Sequence, residues 1–267
     1  MTTISTPPSK KIKITDITIS EIIIGDKINP PVLLLHGWGA NISLVWTLAQ
    51  RLSTKGYCVY ALDLPGFGDS DEPPIAWSVH DYVNFIIDYM NYHQLEQVNL
   101  FGHSFGGRLS LILGSLHATR VNNIVLANSA GIRPKTPLTS NLRLSAYKSI
   151  RDRLKAIGLT NLSDKLRNLY NKRYGSSDFN DTSGVMRETF VKVINEDLLK
   201  YAQDVNCPTM ILWGETDEET PLWMGETLHR AINNSGLHIF PNSGHYSYID
   251  NLDQTANIMH ALYTTTE

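Results

Sequence analysis

Four consecutive aliphatic residues, Val32-Leu33-Leu34-Leu35, lie between Pro30-Pro31 and His36-Gly37. A strand with one wet face alternates apolar and polar residues, whereas an unbroken apolar run leaves no face for water. Such a strand belongs inside a parallel sheet covered on both sides. The same kind of run recurs at Tyr57–Leu62, Val98–Phe101, Ile124–Ala127, Met210–Trp213 and, shorter, at Leu237–Phe240. Two further strand-like runs, Lys11–Thr15 and the Ile-rich Ile19–Ile24, come before them, so the expected sheet has about eight strands.

Helical patterns fill the intervals. In Ser78–His93, Val79, Tyr82, Val83, Ile86, Ile87 and Met90 fall on one stripe of a helix. Ser78 with Asp81 three residues on has the form of a capping box, with Asp replacing the usual Glu. Phe105–Leu116 and Leu252–Tyr263 read as further helices. Alternating strands and helices predict an α/β fold with a mostly parallel sheet and helices on both faces. Right-handed crossovers gather the strand C-termini on one edge, where such sheets bind ligands.

Residues 132–206 break the alternation. Asn141–Ala156, Ser163–Tyr174 and Val185–Tyr201 carry helical patterns and few strand signals. The expected organisation is a core of residues 1–131 and 207–267, with residues 132–206 inserted at the ligand edge as a helical cap.

At 42% hydrophobic and 18% charged residues, the 267-residue chain has the composition of a globular protein with a substantial core. Two cysteines, Cys58 and Cys207, cannot staple a fold of this length and are expected as buried thiols. No apolar stretch approaches the roughly 20 residues of a membrane span, and the first residues lack a signal-type apolar segment, so the expected compartment is the cytoplasm. The net charge of −3 gives no reason to expect a nucleic-acid partner. That average hides an asymmetry. Between Arg133 and Arg173 there are 11 Lys and Arg against Asp152 and Asp164, so this segment is +9 and the rest of the chain −12. Tyr147, Tyr170, Tyr174, Leu144, Leu154, Leu166 and Leu169 interleave with these charges at helical spacings. The plain expectation is a cap with a basic solvent face. The sharper one is attraction of anionic substrates, or peripheral contact with anionic lipid.

The chemistry-bearing residues cluster where strand-like runs end. Val98–Phe101 leads into Gly102-His103-Ser104-Phe105-Gly106-Gly107 and then a helix. Gly-x-Ser-x-Gly alone is weak evidence, but its strand–turn–helix setting is the one a nucleophile elbow demands. A serine hydroxyl needs a base to take its proton and a third group to orient that base. Of nine histidines, His245 follows the last strand-like run in Asn242-Ser243-Gly244-His245 and is the candidate base. His103 is expected to pack or hydrogen-bond beneath the site. His80, His93, His117, His229 and His260 fall on helical patterns and are expected at the surface or its boundary. The orienting acid is sought in Trp213-Gly214-Glu215-Thr216-Asp217-Glu218-Glu219-Thr220-Pro221, where spacing does not select among the four carboxylates. Backbone donors for an oxyanion are available at Phe105 and in the loop His36-Gly37-Trp38-Gly39.

These pieces, with Asp63-Leu64-Pro65-Gly66-Phe67-Gly68-Asp69-Ser70, resemble in order and spacing the α/β-hydrolase superfamily over nearly all of residues 30–263. The resemblance implies Ser104 as nucleophile, His245 as base and Asp217 as orienting acid. It places the oxyanion donors on the amides of Trp38 and Phe105, and calls for no metal or organic cofactor. Serine at the nucleophile position disfavours the dehalogenase and epoxide hydrolase branches, which carry Asp there. Trp38, Phe105 and Tyr246 are expected to line the substrate pocket. The implied activity is hydrolysis of a small carboxylic ester or related acyl substrate through an acyl-enzyme. The alternatives are carbon–carbon bond hydrolysis, lyase or perhydrolase chemistry on the same residues, or a low-turnover ligand-binding protein.

Overall fold

The computed structural model describes residues 9–133, 138–174 and 182–265. Eight strands form one sheet: β1 (Lys10–Ile14), β2 (Ile17–Ile24), β3 (Pro31–Leu35), β4 (Cys58–Leu62), β5 (Val98–His103), β6 (Val121–Ala127), β7 (Thr209–Gly214) and β8 (Ser235–Phe240). Their order is β1-β2-β4-β3-β5-β6-β7-β8. The β1–β2 and β2–β4 pairs are antiparallel and every other pair is parallel.

Both faces of the central strands β3, β4, β5 and β6 are dry, as the unbroken apolar runs require, while the edge strands β1 and β8 stay partly exposed. Val32 and Leu34 join one apolar cluster, while Leu33 and Leu35 point the opposite way into another. Helices α1 (Ile42–Ser53) and α10 (Leu252–Thr264) cover the first face. On the second lie α2 (Val79–Tyr92), α3 (Phe105–Leu116) and α8 (Leu222–Ala231). Each fully buried Leu or Ile contributes roughly 1.5–3 kcal/mol relative to exposure, so the alternating assignment of side chains to two cores fixes strand register firmly. Helix α2 starts where its capping box predicts: Ser78 Oγ accepts from the Asp81 amide, and Asp81 Oδ2 accepts from the Ser78 amide at 2.7 Å.

Between β6 and β7 the chain forms α4 (Leu138–Ala156), α5 (Thr160–Tyr174), α6 (Gly184–Asn195) and α7 (Leu199–Asp204). One helix over Val185–Tyr201 was expected. Instead the chain breaks at residues 196–198, where Glu196 turns to an extended backbone and Leu198 donates its amide to the Gly131 carbonyl, tying the insertion to the end of β6. Helices α4 and α5 pack on each other; Ile150, Leu162 and Leu169 on them, and Ile157 and Leu159 in the turn between, are exposed to solvent. Lys135 lies outside the described residues, as do the side chains of Leu144, Tyr170 and Tyr174. Cys58 is buried as expected, but Cys207, at the turn into β7, is only partly covered.

Strand β3 lies between β4 and β5. The connection after β3 runs to β4 on one side and that after β5 runs to β6 on the other, so the loops after these adjacent strands diverge at the sheet edge, at a topological switch point.

Candidate active site

Ser104 stands between β5 and α3 with φ 49° and ψ −105°. A non-glycine residue in that region carries strain of about 1–3 kcal/mol, and the surroundings hold it there. Its amide donates to Ala127 and its carbonyl accepts from Gly107 and Ala130, locking the turn to the end of β6. The flanking glycines admit this packing. A Cβ on Gly106 would strike the main-chain carbonyl of Leu35, and one on Gly102 would strike Ser110 Oγ. The Gly106 amide instead donates to the His36 carbonyl at 3.1 Å, which brings the loop after β3 against the elbow.

His245 and Asp217 come from the loops after β8 and β7. Asp217 Oδ2 lies 2.9 Å from His245 Nδ1 and accepts from Asn128 Nδ2 at 2.6 Å and Thr220 Oγ1 at 2.7 Å. Asp217 Oδ1 accepts from the Glu219 and Thr220 amides at 2.9 and 3.0 Å. Burial would raise the pKa of this carboxyl, but the bonds from His245, Thr220 and Asn128 outweigh it and bring the pKa down to about 2. The group is therefore an anion at any working pH, able to hold the imidazole with Nδ1 protonated and Nε2 facing outward. His245 Nε2 is 3.4 Å from Glu219 Oε2, a side chain 63% exposed.

Ser104 and His245 line one cavity of about 560 Å³. Trp38, Phe105, Phe190, Val193 and Met224 give it apolar walls, and Arg108, Glu218 and Glu219 add charges. The rings of Trp38 and Phe105 meet edge to face at 5.3 Å. The Phe105 amide opens α3, so the carbonyl four residues back lies in strand β5 and not in the helix. The next amides, of Gly106, Gly107 and Arg108, are already bonded. That leaves the Phe105 N–H beside Ser104 for an oxygen in the cavity. No group of three or more His, Cys, Asp or Glu able to hold a metal ion occurs among the described residues.

A family model described as the alpha/beta hydrolase fold matches residues 30–252. The chain belongs to that family. It is a hydrolase, 29% identical to the 2-hydroxymuconate semialdehyde hydrolase of Pseudomonas putida over 245 residues, 86% of this chain and 85% of that protein. Among solved structures it resembles the meta-cleavage product hydrolase CumD of Pseudomonas fluorescens with a TM-score of 0.73 and 22% identity, covering 97% of this chain and 98% of that one. It also resembles an esterase of Exiguobacterium antarcticum, with a TM-score of 0.70 and 23% identity over 96% of this chain and 98% of that one.

Within this α/β hydrolase most of the residues singled out from the sequence converge: Ser104, Asp217, His245, Trp38 and Phe105 meet at one sheet edge. Tyr246 does not line the cavity. It stands next to the short helix α9 (Ser247–Asp250), where its ring lies over His103 and against His245, and it is 40% exposed. His103 packs beneath the site as expected, with Nε2 donating to the His245 carbonyl at 2.9 Å; burial, aided by nearby His245, lowers its pKa to about 3. His36 is likewise buried, accepting from the Leu64 amide at Nε2 while Nδ1 meets the Gly37 carbonyl; burial lowers its pKa to about 4. His93, expected at the surface or its boundary, is half-buried at the end of α2, with its ring covered and Nε2 2.7 Å from Glu21 Oε2. Asn128, Thr220 and Arg108 were not foreseen. Asn128 directly follows an apolar strand run at the ligand edge, the same signal that pointed to Ser104 and His245.

Proposed function

We propose that this chain is a serine hydrolase of small carboxylic esters, with Ser104 as nucleophile, His245 as general base and Asp217 as orienting acid. The observation that carries the reading is the 2.9 Å contact of His245 Nδ1 with a multiply bonded Asp217, at a cavity shared with a backbone-strained Ser104. Ser104 Oγ attacks the ester carbonyl while His245 Nε2 takes its proton, and the negative oxygen is received by the amides of Phe105 and Trp38. Each such donor stabilises the transition state by about 3–4 kcal/mol. The tetrahedral intermediate collapses to an acyl-serine as the alcohol leaves with the proton from His245. Water, deprotonated by the same imidazole, then releases the acid and restores Ser104.

Residues 132–206 act in this reading as a cap over the site, contributing Ile132, Phe190 and Val193 to the cavity wall. Its basic outer face, with exposed Ile150, Ile157 and Leu162, supports attraction of anionic substrates and contact with anionic lipid. Steering requires that kcat/KM for an anionic ester fall with added salt while that of a neutral ester stays constant. Lipid contact requires co-sedimentation with phosphatidylglycerol vesicles and none with phosphatidylcholine.

The nucleophile is tested with a fluorophosphonate. The expected adduct is on Ser104, with none on Ser104→Ala, and unlabelled folded wild-type protein would refute the assignment. A second reading, carbon–carbon bond hydrolysis on the same residues, is favoured by the similarity to the semialdehyde hydrolase. A panel of p-nitrophenyl esters, thioesters, lactones and vinylogous diketones separates the two by which class turns over.

A further inference from the structure

Arg108 lies four residues after Ser104 on α3, one turn along the helix, and borders the same cavity. Only 7% of the residue is exposed. A guanidinium has five N–H donors. Here Nη1 donates to the Glu196 main-chain carbonyl at 3.0 Å, at the end of α6, and among the described residues no carboxylate pairs with it. The carboxylate of Glu196 is turned away, 3.1 Å from His80 Nε2. Burial lowers the Arg108 pKa to about 10, which leaves it cationic at neutral pH.

Glu196 and Asp197 act on this cation only through space, with no carboxylate in hydrogen-bonding contact, so its desolvation is repaid only in part and burying it costs folding stability. Its bond to the Glu196 carbonyl uses one of its five N–H donors. The fold carries this cost beside its nucleophile. The charges of the cavity are also sorted by origin: Glu218 and Glu219 arrive on the loop that meets His245, while Arg108 stands on α3 and Arg133 at the start of the insertion.

We propose that Arg108 is the carboxylate-recognising residue of the site, and that the substrates are esters bearing a carboxylate near the scissile carbonyl. This rests on the serine-hydrolase reading above for what is cleaved, and on Arg108 alone for what is recognised. The unused edge of the guanidinium takes the carboxylate in a two-point hydrogen bond. Four residues of helix rise place it about 6 Å from Ser104 along the axis, a distance a chain of a few bonds spans.

The test compares p-nitrophenyl butyrate with mono-p-nitrophenyl glutarate, charged on the acyl side, and 4-butyryloxybenzoate, charged on the leaving group. The wild type is expected to prefer one of the charged esters. In Arg108→Met the charged-to-neutral ratio of kcat/KM is expected to fall about 30-fold, mostly through KM, with partial recovery in Arg108→Lys. No preference for either charged ester, or a ratio unchanged in the Met variant, overturns the proposal. Calorimetric titration of glutarate into Ser104→Ala and into Ser104→Ala/Arg108→Met decides the site without turnover: saturable binding to the first that is lost in the second supports it, and absence of binding, or equal binding to both, overturns it. Persistent ester turnover by Ser104→Ala would overturn the serine mechanism while leaving the glutarate result to judge Arg108.

Discussion

The side-chain amide of Asn128, at the end of β6, donates to Asp217 Oδ2 at 2.6 Å and so ties the carboxylate that meets His245 to the neighbouring strand. Asn128 Oδ1 accepts in turn from Ser247 Oγ at 2.5 Å, and its backbone is left-handed at φ 46°. One residue thus positions the loops after β7 and β8. Asn128→Ala removes a bond to a charged group and leaves the Ser247 hydroxyl unpaired, an expected loss of about 2–3 kcal/mol in urea unfolding. Asn128→Asp places a second carboxylate against Asp217 and is expected to lower both stability and kcat further.

Asp217→Asn keeps the shape of the side chain but removes its charge and offers His245 Nδ1 a donor. The imidazole is then held in the wrong tautomer, and kcat is expected to fall about 10⁴-fold. Far-ultraviolet circular dichroism should stay that of the wild type. A fall of less than tenfold would move the orienting role to another group.

Glu219 Oε2 is 3.4 Å from His245 Nε2, the nitrogen that takes the Ser104 proton in the proposed mechanism. With the carboxylate largely in water, this pair is worth under about 1 kcal/mol. Removing it in Glu219→Gln is expected to raise kcat/KM for a neutral ester by no more than about fivefold. A large drop would instead give Glu219 a direct part in the reaction.

Gly106 admits no side chain, because a Cβ there meets the Leu35 carbonyl. Gly106→Ala must push α3 away from β3, and the expected cost is about 3 kcal/mol or more, read from the urea midpoint. Gly39→Ala serves as the comparison for left-handed strain alone, since its Cβ would meet nothing within 4 Å.

Burial lowers the pKa values of His36 and His103 to about 4 and 3, below the ordinary histidine value. A group with a depressed folded-state pKa binds more protons when unfolded, so its contribution is full above about pH 6.5 and declines as pH falls. Between about pH 6.5 and 5, stability should drop with proton uptake on unfolding rising toward about two. Urea midpoints at intervals across that range measure it, and a flat profile would contradict the buried neutral state of both rings.

The sequence by itself determined the sheet, its parallel character and the edge where chemistry collects. Apolar runs such as Val32–Leu35 can satisfy water exclusion in only one kind of place, so their pattern is a local property with a single global solution. The strand–turn–helix setting of Ser104 and the strand-end loop of His245 were legible for the same reason. What was not legible depends on distances between segments far apart in the chain. Spacing left four acidic candidates after Trp213, whereas the folded chain puts Asp217 on His245 Nδ1 and Glu219 near Nε2. Tyr246, next to a key histidine, turns onto His103 instead of the cavity, because its direction follows from the backbone at α9. Asn128 and Arg108 looked like ordinary polar residues at a strand end and in a helix. Only the tertiary structure, by removing water around them, makes one a clamp on Asp217 and the other a buried cation one helical turn from Ser104.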